Sequence, residues 1–356
     1  MKSNRRLHGV LGGVTFMAAR NRVGFAVAGL GNIARGAVLP GFANCKRAKL
    51  AAVVSRDGKK AADVAREFDA CAHYSSEEYS ECLANPEVSA IYVATPPGEH
   101  VALTVQAASA GKQILCEKPL AATVEQSARM VQACRRNHVL LMTAYRKYFE
   151  PSSLYLKQLI QNGDLGRIDV MHTAFSELYS PGISQPWLVD SKLAGGGPLM
   201  DLGVYCVNTT RWLVDEDPVE VSAQTWTRDK VTFRDVEEGV SFRLQFPSGL
   251  VVQGSSSYGA AMSSFINVQG AKGWVSLAPA FTFDEVRRVQ GKIGKRRIER
   301  KFAIIDEFAL ELDAFAAAIQ NNALVESDGA QGHRDMIILD AIYKSARQRQ
   351  PHAIVY

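Results

Sequence analysis

The sequence predicts an α/β fold in which a doubly wound parallel sheet is followed by an α+β part with a large, mostly antiparallel, open-faced sheet. Between Val23 and Ala144, short apolar runs alternate with amphipathic helical patterns. After Tyr145 the alternation ends, and strand-like segments joined by turn signals follow. The 356 residues also exceed what one hydrophobic core usually supports. We therefore expect an N-terminal extension at residues 1–22, a first domain at 23–145 and a second domain at 146–356.

Apolar periodicity defines the elements of the first part. The predicted strands are Val23–Ala28, Leu50–Ser55, Ala90–Ala94, Gln113–Cys116 and Val139–Thr143. The predicted helices are Ala34–Ala43, Lys59–Phe68, Glu99–Ala110 and Val124–Asn137. Pro40 should break or kink the first helix, because a proline ring clashes with the preceding helical turn.

The second part combines helices with alternating strand patterns. The predicted helices are Leu154–Ile160, Leu199–Leu213, Glu307–Gln320 and Arg334–Arg347. The predicted strands are Ile168–Phe175, Val219–Thr227, Val240–Phe246, Leu250–Ser256, Phe265–Gln269 and Trp274–Leu277. One face of this sheet should be open to the cleft or to a partner subunit. The basic run from Lys292 to Lys301 predicts a solvated strand or hairpin rather than a nucleic-acid surface.

Composition argues against several classes of protein. The apolar fraction of 47% and the net charge of +5 are ordinary for a globular chain, and no run of about 20 apolar residues predicts a membrane span. The six cysteines form no CxxC pair and no zinc-like cluster with histidine. We expect no metal, no nucleic-acid partner and no membrane contact, in a reducing compartment.

The N-terminal residues leave two interpretations open. Arg5 and Arg6 precede an uncharged stretch at 7–19, as in a twin-arginine export signal that would direct the protein to the periplasm. The stretch is short and rich in glycine, and Arg20 follows it at once. We favour the second interpretation, in which translation starts at Met17 and the protein is cytoplasmic.

A glycine-rich turn between the first strand and the first helix predicts a dinucleotide-binding Rossmann fold. The turn reads Gly29-Leu30-Gly31-Asn32-Ile33-Ala34. Gly29 permits the tight turn, Gly31 lets a pyrophosphate approach the backbone, and an alanine may replace the third glycine of this pattern. The helix that begins here offers free N–H groups to the phosphates, so Asn32 and Ile33 are candidate cofactor-binding residues.

The end of the second predicted strand favours NADP(H) over NAD. An NAD enzyme usually has an acidic residue there, whereas this strand ends in Ser55 and Arg56, with Lys60 close behind. A serine hydroxyl and a guanidinium suit a 2′-phosphate. Asp57 is an acidic residue close to this strand end and does not fit a preference for NADP(H). We expect its side chain to point away or to cap the following helix.

Two further motifs carry candidate catalytic residues. Glu117 and Lys118 lie at the end of the fourth predicted strand, at the sheet edge where open α/β sheets bind ligands. Asp201 and Tyr205 are four residues apart and would share one face of a helix.

On these motifs the sequence resembles the family of glucose-fructose oxidoreductase, inositol dehydrogenase and the rhizopine catabolism oxidoreductases. The resemblance covers nearly the whole chain from Val23. Its motifs are GLGNIA, ATPPGEH (94–100), CEKP (116–119), AYRKYFEP (144–151), AGGGPLMDLGVY (194–205) and SSSY (255–258). Within the family it is most similar to glucose-fructose oxidoreductase and the NADP-dependent aldose and xylose dehydrogenases. Those enzymes have tyrosine where many relatives have histidine, and Tyr205 occupies that position.

The resemblance implies that Lys118 and Tyr205 carry the proton chemistry of sugar oxidation. A phenol is a weak base, and a nearby ammonium stabilises its phenolate. Asp201 would bind a sugar hydroxyl or orient the lysine. Tyr258 would either reach the substrate or pack as a strand residue. The remaining implied cofactor contacts are Thr95, Pro96, His100, Glu117, Arg146 and Trp187, of which the histidine alone is more often structural.

The expected function is therefore NADP-dependent oxidation of an aldose at C1 to a lactone, with a homodimer or homotetramer formed through the second sheet. Leu188 follows Trp187 where glucose-fructose oxidoreductase has arginine, and residues 1–22 do not resemble its proline-rich arm. Exchange between two sugars on a retained cofactor and simple release of NADPH thus both stay open. The alternatives are reduction of a keto or anhydro sugar, and a non-catalytic protein that senses NADP.

Overall fold

A six-stranded parallel sheet forms the first half of the computed structural model, which describes residues 22–182 and 184–356. Its strands are β1 (Val23–Ala28), β2 (Ala48–Ser55), β3 (Ala72–Ser75), β4 (Ala90–Val93), β5 (Gln113–Cys116) and β6 (Leu141–Thr143). The spatial order β3-β2-β1-β4-β5-β6 is that of the Rossmann fold, which confirms the predicted architecture. The carboxyl ends of β1, β4 and β5 therefore lie side by side at one edge of the sheet.

Helices cover both faces of this sheet. They are α1 (Leu39–Gly41), α2 (Gly58–Glu67), α3 (Tyr79–Ala84), α4 (Pro97–Ser109) and α5 (Val124–Arg136). The first helix begins in a π-helical segment, Ala34–Val38, and ends in a 3₁₀ turn, Phe42–Asn44, with Pro40 between them. β3 and α3 were not predicted, because β3 is a short strand at the sheet edge whose residues are half exposed and polar.

A nine-stranded sheet forms the second half. Its strands are β7 (Ile168–Ser176), β8 (Glu220–Trp226), β9 (Gly239–Gln245), β10 (Val251–Ser257), β11 (Ser263–Gly270), β12 (Gly273–Ala278), β13 (Arg287–Ile293), β14 (Arg296–Phe302) and β15 (His352–Ala353). Their order is β14-β13-β12-β11-β7-β10-β9-β8-β15, and every pair is antiparallel except β7 with β10. The basic run is the β13–β14 hairpin, as predicted, although the full length of these strands was not.

The remaining helices are α6 (Pro151–Gln161), α7 (Ser191–Ala194), α8 (Val204–Val214), α9 (Glu307–Asn321) and α10 (Gly329–Gln348). α9 returns to the first sheet, where Phe315 packs at 6.1 Å from the ring of Phe25, and both side chains are fully buried. α10 begins five residues before the predicted start, because Asp328 accepts a hydrogen bond from the backbone N–H of Gln331 and caps it.

Both interpretations of the N-terminus concern residues outside the described part of the chain. Among the residues that the structure describes, no helix is long and apolar enough to cross a membrane. The predicted oligomer through the second sheet stays a prediction.

A buried polar network ties α8 and α10 to the end of the first sheet. Asp335 on α10 is fully buried, and its carboxylate accepts hydrogen bonds from Tyr145 (2.7 Å) and Asn208 (2.8 Å). Arg211 on α8 forms an ion pair with the same carboxylate. Removing this one acidic group would take an acceptor from three buried donors and leave Arg211 with Asp217 as its remaining acidic partner, which is more costly than the loss of an exposed pair.

We therefore expect Asp335→Ala to lower the free energy of unfolding by about 3–5 kcal/mol, as breaking a buried pair usually does. The matched control on the same helix is Asp340→Ala, because Asp340 makes an exposed pair with Lys344. That change should cost less than about 1 kcal/mol. Urea denaturation of the three proteins tests this, and equal midpoints for both variants would contradict it.

Candidate active site

A cavity of about 1260 Å³ opens at the carboxyl edge of the first sheet and continues along the second. It exceeds the roughly 300–1,000 Å³ of a site for one drug-sized molecule, so a dinucleotide and a small substrate can share it. Nearly all predicted site residues line this cavity: Gly29, Gly31, Asn32, Ile33, Ser55, Arg56, Lys60, Thr95, Pro96, Glu117, Lys118, Arg146, Trp187, Asp201, Tyr205 and Tyr258.

The glycine turn has the backbone geometry that a dinucleotide site requires. Gly29 has a φ of +98°, and a Cβ there would lie 2.6 Å from the carbonyl carbon of Ala94. Gly31 faces open space, since the nearest atom to a Cβ at this position would be the side-chain oxygen of Gln185, 3.4 Å away. The turn thus brings bare backbone N–H groups to the cavity wall, which fits the pyrophosphate of a dinucleotide.

The other wall of this end carries the predicted phosphate-recognition residues. Asp57 caps α2 by accepting a hydrogen bond from the backbone N–H of Lys60 at 3.0 Å. Its carboxylate thus has the capping role that the sequence predicted. The side chain of Arg56 is 80% exposed and lies 3.6 Å from Glu99 across the cavity. A solvent-exposed guanidinium beside Ser55 suits a ligand phosphate better than the single carboxylate 3.6 Å away.

An ion pair joins the two halves at the opposite end of the cavity. Nζ of Lys118, just after β5, lies 2.8 Å from Oδ1 of Asp201 and 2.9 Å from its backbone oxygen. The hydroxyl of Tyr258 donates to Oδ2 of the same carboxylate at 2.9 Å. Nζ also lies 4.9 Å from the ring centroid of Tyr205. The predicted catalytic groups therefore converge on one spot beside the glycine turn's cavity.

Electrostatics keeps this lysine charged. Burial by itself lowers the pKa of the Lys118 ammonium, but the nearby Asp201 and Tyr205 outweigh burial, so the pKa is raised above its ordinary value of 10.5. The lysine is therefore charged at neutral pH and donates hydrogen bonds to the side chain and backbone of Asp201.

A π-helical segment, Leu199–Gly203, presents Asp201 to the lysine and leads directly into α8, which carries Tyr205. An ordinary α-helix was expected here. The wider π turn still places both side chains in the cavity, and such segments are frequent at functional sites.

Tyr205 is packed between rings and a guanidinium. The ring centroids of Phe175 and Phe281 each lie 5.7 Å from its own, and the guanidinium carbon of Arg146 lies 5.3 Å away. Arg146 is itself buried, donating to the carbonyl of Phe281 and pairing with Glu307. Burial lowers the pKa of Arg146, but Tyr205 and Glu307 outweigh it, so this cation stays charged beside the phenol.

His100 is corrected by the structure. It was expected to contact the cofactor, but its fully buried ring is not among the residues that line the cavity. Its nitrogens contact the backbone carbonyls of Thr95 (2.7 Å) and Leu120 (3.1 Å). The histidine therefore fixes the loop after β4, and Thr95 on that loop reaches the cavity instead.

The lining residues that were not identified from the sequence include Glu177, Phe283, Asp284 and Glu311. Three of them follow strands of the second sheet or lie in its loops, where no motif marks them. Glu311 lies on the buried face of α9, and burial together with the nearby Glu117 raises its pKa well above the ordinary value. In the sequence, Glu311 could have been identified only as an acidic residue on the apolar face of the predicted helix Glu307–Gln320.

Comparisons with known proteins agree with this geometry. Residues 23–145 match an oxidoreductase family with an NAD-binding Rossmann fold, and residues 153–276 match the GFO/IDH/MocA C-terminal domain. The D-xylose 1-dehydrogenase [NADP(+)] of Haloarcula marismortui is 33% identical over 333 residues, covering 92% of each chain. The chain belongs to the GFO/IDH/MocA oxidoreductase family.

Other members of the GFO/IDH/MocA family are similar over most of the chain. The crystal structure of aldose-aldose oxidoreductase from Caulobacter crescentus, complexed with glycerol, covers 94% of this chain and all of its own, with 31% identity and a TM-score of 0.89. The 1,5-anhydro-D-fructose reductase of Ensifer adhaerens is 28% identical, over 76% of this chain and 81% of its own.

The ion pair of this GFO/IDH/MocA protein predicts a pH effect. Because the pKa of Lys118 is raised, the pair's contribution to stability is present below pH 10.5 and is lost as the pH rises through the raised value. Asp201→Asn removes the strongest charge that raises this pKa, so the pKa should fall. Titration of the ¹³Cε signal of Lys118 in lysine-labelled protein measures it. Asp340→Asn is the control, and an unchanged lysine titration in Asp201→Asn would refute the coupling.

Proposed function

We propose that this enzyme oxidises the C1 hydroxyl of an aldose such as glucose or xylose to an aldonolactone, with NADP⁺ as the oxidant. At the coarser level the chain is an NADP(H)-dependent oxidoreductase that acts on CH–OH groups of sugars, as its family and its similarity to a D-xylose 1-dehydrogenase indicate. The observation that carries the finer proposal is the convergence of Lys118, Asp201 and Tyr205 in the cavity that the glycine turn shares.

The residues around the cavity fit the cofactor. Gly29 permits the tight turn and Gly31 leaves room for the pyrophosphate. Ser55, Arg56 and Lys60 suit the 2′-phosphate, and the loop that carries Thr95 and Pro96 would border the nicotinamide side. When bound, NADP⁺ supplies the hydride acceptor for the carbon that is oxidised.

The chain's own residues manage the proton. Tyr205 in its phenolate form takes the proton of the C1 hydroxyl and becomes a phenol, while the ammonium of Lys118 and the guanidinium of Arg146 beside its ring stabilise the phenolate before transfer. Lys118 also donates to the sugar oxygen. Asp201 fixes the lysine through Oδ1, while Tyr258 holds Oδ2, so the lysine has one defined position.

The same groups support a second candidate, reduction of a keto or anhydro sugar, in which Tyr205 returns the proton. The similarity to a 1,5-anhydro-D-fructose reductase favours it. A non-catalytic NADP sensor is a weaker proposal, since it would not need the lysine, the aspartate and the tyrosine together. Retention of the cofactor and the site of action in the cell stay predictions.

The acid–base roles predict large losses of turnover. Lys118→Ala and Tyr205→Phe should each lower kcat by about 100-fold or more, the usual scale for positioned acid–base groups. NADPH affinity should survive Tyr205→Phe, because the phenol contacts the reacting oxygen and not the phosphates. NADPH formation with a panel of aldoses and fluorescence titration of NADPH measure the two effects. Tyr155→Phe, on α6 outside the cavity lining, is the matched control. Near-normal rates in both site variants would remove the mechanism.

The phosphate contact predicts a change of cofactor preference. Arg56→Ala removes the exposed guanidinium at the end of β2, so it should raise the Kd for NADP⁺ by about 10-fold or more while changing the Kd for NAD⁺ little. Isothermal titration with both nucleotides measures the ratio. Equal losses for NADP⁺ and NAD⁺ would contradict a 2′-phosphate contact.

A further inference from the structure

The charged residues of the cavity are distributed unevenly between its two ends. At the glycine-turn end the lining includes the exposed Arg56 and the half-buried Lys60, together with Asp57, which caps α2, and Glu99, which lies 3.6 Å from Arg56. At the end that holds the catalytic lysine, the lining includes five acidic side chains, Glu117, Glu177, Asp201, Asp284 and Glu311, against the two cations Lys118 and Arg146. The substrate would therefore meet a lining with an excess of acidic side chains.

Both cations at the catalytic end already form ion pairs with acidic residues. Lys118 pairs with Asp201 at 2.8 Å, and its side chain is only 13% exposed. Arg146 is buried and pairs with Glu307 below the cavity. Within the described lining, no other lysine or arginine lies at this end. An anionic group on a substrate would thus find no exposed, unpaired cation here.

Two acidic side chains at this end have no hydrogen-bond or ion-pair partner among the described residues. Glu177 follows β7, and Asp284 lies in the loop before β13; both are exposed and line the cavity. Across residues 22–182 and 184–356, neither carboxyl group has a hydrogen bond or ion pair. Both carboxyl groups lie close enough to the catalytic pair to interact with it electrostatically. Burial, Asp201 and Asp284 raise the pKa of Glu177, and Lys118 lowers it.

We infer that Glu177 and Asp284 act as a specificity filter that admits uncharged sugars and rejects sugar phosphates and sugar acids. The inference rests on the proposed function and narrows its substrate class. A phosphate or carboxylate on the sugar would face two unpaired carboxylates, and like charges brought together at a binding site are strongly unfavourable. Sugar hydroxyls, in contrast, are donors for which free carboxylates are good acceptors.

The test compares sugars that share the reacting C1 and differ at C6: 6-O-methylglucose, glucuronate and glucose 6-phosphate. The methyl ether is a neutral control for size. For each sugar, kcat/KM is measured with NADP⁺, and the dissociation constant is measured from the fluorescence of enzyme-bound NADPH. We expect glucuronate to fall about 10-fold or more below 6-O-methylglucose at low salt, glucose 6-phosphate to fall further, and added NaCl to narrow both gaps.

Removing the carboxylates should relax the discrimination. In the Glu177→Gln/Asp284→Asn double variant, the glucuronate to 6-O-methylglucose ratio should rise about 10-fold. Asp169→Asn is the matched control, because Asp169 is an exposed carboxylate at the start of β7, the strand that Glu177 follows. Its ratio should equal that of the unmodified enzyme.

The outcomes separate the two proposals. Equal affinity for glucuronate and 6-O-methylglucose, or a ratio that the double variant does not change, overturns the filter while aldose oxidation stands. If no aldose is oxidised, the proposed function fails, and the dissociation constants still decide whether anionic sugars are rejected. If none of the three sugars binds, the filter is overturned, and NADPH formation with the panel of aldoses decides the proposed function by itself.

Discussion

The ion pair between Lys118 and Asp201 is the interaction on which the site depends. The two residues are 83 positions apart, one at the end of β5 in the first sheet and the other on the π-helical segment before α8. The pair therefore joins the part that would bind the cofactor to the part that carries Tyr205. Its side chains are only 13% and 26% exposed, so the attraction is screened by solvent much less than at the surface.

A second set of charges, wholly buried, supports the other side of the phenol. Arg146, Lys147 and Arg287 interleave with Glu150 and Glu307, and their side chains are at most 5% exposed. Burial would raise the pKa of Glu150, but Lys147, the hydrogen bonds donated by Ser152 and the nearby Arg287 lower the value to about 2. Such a network resists rearrangement, because displacing one charge leaves another unpaired in a dry interior. Arg146 is thereby held against the ring of Tyr205.

The sequence allowed prediction of the parts of the site that depend on local geometry. The glycine turn, the end of β2 and the Glu117-Lys118 strand end are each defined by a few neighbouring residues, and the parallel sheet brings them to one edge. β3 escaped prediction because a half-exposed edge strand lacks an apolar run. Glu177 and Asp284 escaped because only the tertiary fold brings two separate loops of the second half to the lysine. His100 was assigned to the cofactor by the family resemblance, but its ring packs inward and contacts the backbone carbonyl of Thr95.

These differences separate the reaction from the choice of substrate. The groups that we propose for proton transfer lie on strand ends and helices and are held by an ion pair and by a buried network, so their positions would not depend on which sugar enters. Other side chains that line the cavity, among them Glu177, Phe283 and Asp284, lie in loops or after a strand end. Loops tolerate change better than the elements that they connect. In the proposed mechanism, changes in these loops would alter the substrate without moving the acid–base groups. The relatives are correspondingly named for xylose, for an aldose–aldose reaction and for an anhydro sugar.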